Sequence, residues 1–167
     1  MRLTNFHALL SACLMVVMGA SAVAAGSIQV SYIQPEKFSD IGISSHDREN
    51  AMGQLTQHFE SLAKRYLADG QRLSVEVLDV DLAGTVQPMT RAGQDLRVLK
   101  DSGDWPRINL RYTLETAGKP GRSGEQKLSD MNYMRYMGAP GTRQPFQAEK
   151  RMLDEWFAAQ FGPAAAK

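Results

Sequence analysis

Cysteine is almost absent from this chain: there is one in 167 residues, Cys13, inside the N-terminal apolar run. A lone thiol excludes an internal disulfide framework and a thiolate zinc site. Histidine is scarce as well, with only His7, His46 and His58. No His-Glu-x-x-His or Gly-x-Ser-x-Gly occurs, so zinc-protease and serine-hydrolase readings lack their parts. Charge of one sign is also missing, because 19 Lys and Arg face 18 Asp and Glu. Such a balance lacks the basic face that a nucleic acid or an anionic membrane requires, and it argues against a nucleic-acid partner. With 43% hydrophobic and 22% charged residues, the chain is not depleted in the way a disordered protein is. Its length suits one domain with a core of its own.

What is present begins at the N-terminus. Arg2 is the only formal charge before Glu36, and Ala8 to Ala25 is nearly all apolar or small. The run closes on Ala22-Val23-Ala24, an A-x-A cleavage pattern. The segment 1–24 is therefore predicted to be a cleaved export signal, with a single globular domain over 25–167 working in the periplasm. A retained anchor is the alternative, at the short end of what spans a bilayer. Leu10-Ser11-Ala12-Cys13 resembles a lipoprotein box, but most of the apolar run follows the cysteine instead of preceding it. Cleavage removes Arg2, His7 and Cys13, leaving a thiol-free body without a membrane span.

Periodicity organises the rest. Ile28 to Ile33 alternates as a strand that Pro35 ends. A helix is expected from His46 to Leu67, because Met52, Leu55, Phe59, Leu62, Ala63 and Tyr66 recur at steps of three and four. Ser44 or Ser45 can cap it. Leu73, Val75 and Val77 alternate, and then Leu78, Val80 and Leu82 alternate one residue out of phase. A bulge near Val77-Leu78 keeps the core face continuous and leaves Glu76, Asp79 and Asp81 on the other face. Residues 83–104 read as loop. Ile108, Leu110, Tyr112 and Leu114 mark a clean strand after Pro106. Gly118 to Gly124 reads as a loose hairpin turn, with a returning strand at about Glu125 to Tyr133. A last helix covers Ala148 to Phe161 and stops at Gly162-Pro163. The β-α-β-β-β-α order predicts an α+β two-layer sandwich, a mixed sheet of about four strands with two helices on one face.

Five stretches resemble the exported bacterial proteins grouped as Domain of Unknown Function 3016. They are Val30 to Ile41, Leu73 to Gly84 with its Leu-Asp-Val-Asp-Leu-Ala-Gly core, Asp104 to Tyr112, Leu128 to Tyr133 and Glu149 to Phe157. The resemblance implies an exported protein of this size. It brings no activity, cofactor or site residue.

The candidate sites come from residue types. Asp79-x-Asp81 with Glu76 gathers carboxylates that can bind a hard cation or act as acid and base. An ordinary polar sheet face, paired with Arg107, Arg111 or Lys127, has the same pattern. Met131-x-x-Met134-x-x-Met137 offers soft thioethers suited to Cu(I), or flexible core filling. Ser61-x-x-Lys64 copies a penicillin-recognising motif without its partner motifs. His58 flanks the apolar stripe and His46 sits at a helix start, both positions where histidine is usually structural. The glycines at 118, 121 and 124 join two strands and make no phosphate cradle. Trp105 is either an exposed anchor or a core plug at a strand start. The leading reading is a small non-enzymatic module that binds an envelope protein or ligand. Its expected surfaces are Glu76, Asp79, Asp81 and Arg111 on the open sheet face, and the loop around Trp105, Asp130, Asn132 and Tyr133. One alternative is a metal-dependent or carboxylate hydrolase using Asp79, Asp81 and Asp130. Another is copper handling through Met131, Met134 and Met137. No cofactor is expected.

Overall fold

The computed structural model describes residues 25–88, 95–100, 103–138 and 143–162. The expected export signal, residues 1–24, lies outside them, as do Pro140-Gly141 and the Ala164–Lys167 tail.

β1 (Ser27–Tyr32) leads into α1 (Ser45–Tyr66), and the chain returns as β2 (Gln71–Asp81) parallel to β1. β5 (Arg107–Thr116) and β6 (Lys119–Ser129) follow as an antiparallel hairpin, and α2 (Gln147–Phe161) closes the domain. The main sheet has the order β1-β2-β5-β6. It is the mixed four-stranded sheet of an α+β fold that the periodicity predicts.

Each element has a local cause. Ser44 caps α1: its hydroxyl accepts from the Asp47 N–H at 3.1 Å, and the Asp47 carboxylate accepts from the Ser44 N–H at 3.1 Å. That reciprocal pair satisfies two donors that a helix start leaves open. The register of β2 on β5 shifts between Val77 and Asp79. Leu73, Val75, Val77 and Val80 therefore all reach the core although their spacing changes. Against this face pack Leu55, Phe59 and Leu62 of α1, with Leu153, Trp156 and Phe157 of α2. The Tyr32 hydroxyl donates to the Met52 carbonyl at 3.1 Å and pins β1 to α1. Burial pushes its pKa up to about 12, so it stays a donor.

Three expectations need correction. Residues 83–104 are not all loop: β3 (Thr85–Pro88) and β4 (Asp95–Val98) form a second, two-stranded antiparallel sheet. Four-residue strands are too short to carry a period that can be told from chance, and their pairing partner is supplied from a distance. The hairpin between β5 and β6 is tight, not loose. Only Ala117 and Gly118 separate the paired Thr116 and Lys119, and Gly118 takes the positive φ of 71° that such turns favour. Pro120, Gly121 and Gly124 thus lie inside an edge strand, where a missing ladder donor is tolerated. At Gly124 a Cβ would stand 3.0 Å from the Tyr112 ring, a close approach that the ring would have to yield to. Finally, β6 ends at Ser129 and does not reach Tyr133. The Asp130 carboxylate accepts from the Asn132 N–H at 2.9 Å and turns the chain into a short 3-10 helix, Tyr133–Tyr136.

A smaller apolar cluster sits beside the main core. Ala83, Tyr133, Met137 and Ala148 form it, with Leu99, Trp105 and Met134 packed around them.

Candidate functional site

The acids of the sheet face are held by neighbours. Glu76 accepts from Arg111 at 2.9 Å, directly across the β2–β5 register, and Arg111 also reaches Glu125 of β6 at 3.6 Å. Asp81 pairs with Arg107, again its cross-strand partner. Asp79 accepts from the backbone N–H and the hydroxyl of Ser39, at 2.7 and 2.8 Å. It anchors the β1–α1 connection. Alternating charge across three strands is what a solvent-facing sheet surface uses to fix register.

The second expected surface divides as well. Tyr133 is buried, and its hydroxyl donates to the Lys100 carbonyl at 2.8 Å. Trp105 is half-buried against the smaller cluster, with the Arg107 guanidinium 4.5 Å from its ring centre. Asn132 is exposed, and Asp130 is occupied by its own turn. The three methionines do not share one surface: Met131 is 68% exposed and Met137 is 2% exposed. Among the described residues, no group of three His, Cys, Asp or Glu is placed to hold a metal ion. Ser61 donates to the His58 carbonyl at 2.7 Å, as an exposed helix serine does. His58 Nε2 lies 3.0 Å from the Lys150 carbonyl oxygen and 2.9 Å from Asp154, bridging α1 to α2.

A cavity of about 650 Å³ lies where the starts of α1 and α2 meet the small sheet. That is within the range of roughly 300–1,000 Å³ that small-molecule sites occupy. Ile41, Leu82, Val86, Leu99 and Met137 give it apolar walls, and Arg97, Arg143 and Glu149 give it ionisable groups. Arg97 is fixed from β4. Its Nη1 and Nη2 donate to the two Asp40 oxygens at 2.8 and 2.9 Å, and Nη1 also donates to the Gly84 carbonyl at 3.0 Å. This bidentate fork ties the small sheet to the main one. Glu149 is 3% exposed, the one charged residue that is buried among the described residues. Its Oε1 accepts from the Ala83 N–H at 2.7 Å. Burial pushes its carboxyl above the ordinary range, partly opposed by the hydrogen bond from Ala83 and by the charge of Arg97.

None of these ionisable residues was a sequence candidate. Glu149 carried a signal: it precedes Met152, Leu153 and Trp156 by three, four and seven residues, so it lies in the apolar stripe of α2. An acid in that position must find a buried donor. Arg97 and Arg143 carried none, because their partners and surroundings come from distant segments.

No helix among the described residues is long and apolar enough to cross a membrane. A family model described as a protein of unknown function, DUF3016, matches residues 26–159. No curated protein matches the chain, and no solved structure does.

Proposed function

We propose, from the premise that the chain belongs to the DUF3016 family, that it is an exported, non-enzymatic binding module that seats a small envelope ligand. The observation that carries this reading is the 650 Å³ cavity, with apolar walls and a few fixed polar groups. It takes the place of the open sheet face, whose acids are already held by Arg107, Arg111 and Ser39. The same pairing lends no support to a hydrolase built on Asp79, Asp81 and Asp130. The opposite burial of Met131 and Met137 lends none to copper handling. Export to the periplasm follows from the apolar N-terminal run and its Ala22-Val23-Ala24 end.

The test is native mass spectrometry on protein purified gently from a periplasmic extract. A mass excess that disappears on denaturation is expected, on a polypeptide beginning at Ala25 or Gly26. Val86→Trp, which fills the cavity from its rim, is expected to abolish the excess. A protein that carries nothing, or a Val86→Trp variant that carries the same adduct, overturns the reading.

A further inference from the structure

The two edges of the main sheet are not alike. β6, at one end, carries Pro120 with Lys119, Arg122 and Lys127. Proline and cations on an outer strand discourage a further strand from pairing with it. β1, at the other end, reads Ser-Ile-Gln-Val-Ser-Tyr, with no charge, no proline and no glycine. Its parallel register on β2 runs unbroken from Ser27 to Tyr32.

The direction of its backbone groups follows from that pairing. In a parallel ladder, alternate residues turn both N–H and C=O toward the neighbouring strand. Just past β1, the Ile33 N–H donates to the Val77 carbonyl at 2.9 Å. Gln29, Ser31 and Ile33 therefore face β2. Ile28, Val30 and Tyr32 present their N–H and C=O groups to the open side. Among the described residues, no strand pairs with that side and no loop backbone bonds these groups. The side chains of Ile28, Val30 and Tyr32 pack against the core but stay partly exposed. Gln29 and Ser31 lie on the opposite face of the sheet.

We infer that a second copy of this chain pairs antiparallel with β1, about a twofold axis at Val30. In that register Val30 meets its own counterpart, Ile28 meets Tyr32, and Gln29 meets Ser31. The outward N–H and C=O groups of Ile28, Val30 and Tyr32 then satisfy one another, as the doubly bonded pairs of an antiparallel ladder do. An aromatic ring opposite a β-branched residue is a favourable cross-strand pair. No charge meets a like charge, because β1 carries none. The strand is thus complementary to itself reversed. Closure is the second reason for choosing a copy as the occupant. A twofold contact consumes both unguarded edges and leaves a β6 at each end of the joined sheet, so assembly stops at two. Pairing of β1 with β6 would propagate instead, and Pro120 and its neighbouring cations oppose it. A single short ladder makes a small interface, so the dimer is weak and concentration-dependent. None of the β1 residues lines the cavity, and the inference does not depend on a ligand there.

The experiment is sedimentation velocity on the purified protein between about 5 and 500 µM, a range that spans weak association. A reversible monomer–dimer equilibrium is expected, with no larger species. Val30→Pro deletes the N–H at the axis, which faces away from β2, and is expected to weaken the dimer at least tenfold. Gln29→Lys with Ser31→Lys sets like charges opposite each other on the solvent face of the sheet. This pair is also expected to weaken it at least tenfold, with an unchanged circular dichroism spectrum. Gln29→Lys with Ser31→Glu sets opposite charges there and is expected to retain the dimer. A chain that stays monomeric throughout, or that grows beyond two copies, overturns the inference. So does a dimer that the Lys/Lys pair leaves intact, or one that the Lys/Lys and Lys/Glu pairs weaken equally.

Discussion

At the scale of single residues, Glu149 sets a sharp constraint. Its carboxyl pKa is raised by burial, so folding favours the protonated form. The stability this contributes is fully present below the unfolded glutamate pKa, about 4.3. It is lost as pH rises through the higher folded value. Glu149→Gln keeps an acceptor for the Ala83 N–H and removes the titration. Urea denaturation is expected to show the wild type losing stability relative to this variant as pH rises above the unfolded glutamate pKa. Glu149→Ala removes the acceptor altogether and leaves the Ala83 N–H buried and unpaired. Relative to Glu149→Gln it is expected to cost about 1–3 kcal/mol in the same assay, at every pH. This residue was half legible in the sequence. Its place in the α2 stripe could be read, but its partner, 66 positions away, could not.

At the scale of elements, legibility follows the reach of the interaction. The Val77/Asp79 bulge was readable because a two-residue period fails visibly when one residue is inserted. The α1 stripe was readable because Leu55, Phe59 and Leu62 lie on consecutive turns. The β3–β4 ribbon was not, since its order depends on pairing across an intervening segment and on the Arg97–Asp40 fork. The length of the hairpin turn is not legible either, because three glycines and a proline look like one long turn, whereas of these only Gly118 serves the turn. That assignment has a direct test. A Cβ at Gly118 meets nothing within 4 Å, so Gly118→Ala suffers only the left-handed backbone. The expected loss is about 1–2 kcal/mol, with Gly118→Asn losing less, as thermal denaturation can measure. Within α2, Phe157 is fully buried among Phe59, Tyr66, Trp156 and Phe161. Phe157→Ala is expected to destabilise by about 3–5 kcal/mol, read from the urea midpoint.

At the scale of the whole molecule, two apolar clusters hold the described residues together. The only cysteine falls within the predicted signal. The melting temperature of the processed protein is therefore expected to be the same with and without reductant in differential scanning calorimetry. A shift on reduction would mean that Cys13 is retained. The main sheet, the crossover helix and the closing helix were visible in the sequence because one core unites them. The cavity was not, because it is the space left where α1, α2 and the small sheet meet, and no local pattern encodes a gap.

The outer strand β6 has a consequence for behaviour at high concentration. Lys119, Pro120, Arg122 and Lys127 stud the free rim of the sheet. A neighbouring molecule trying to extend the ladder meets an absent amide and repelling cations. Replacing Pro120 and Lys127 together with valine removes both obstacles. The doubly substituted protein is expected to form thioflavin-positive fibrils on prolonged shaking, whereas the natural chain, at equal dose, stays clear.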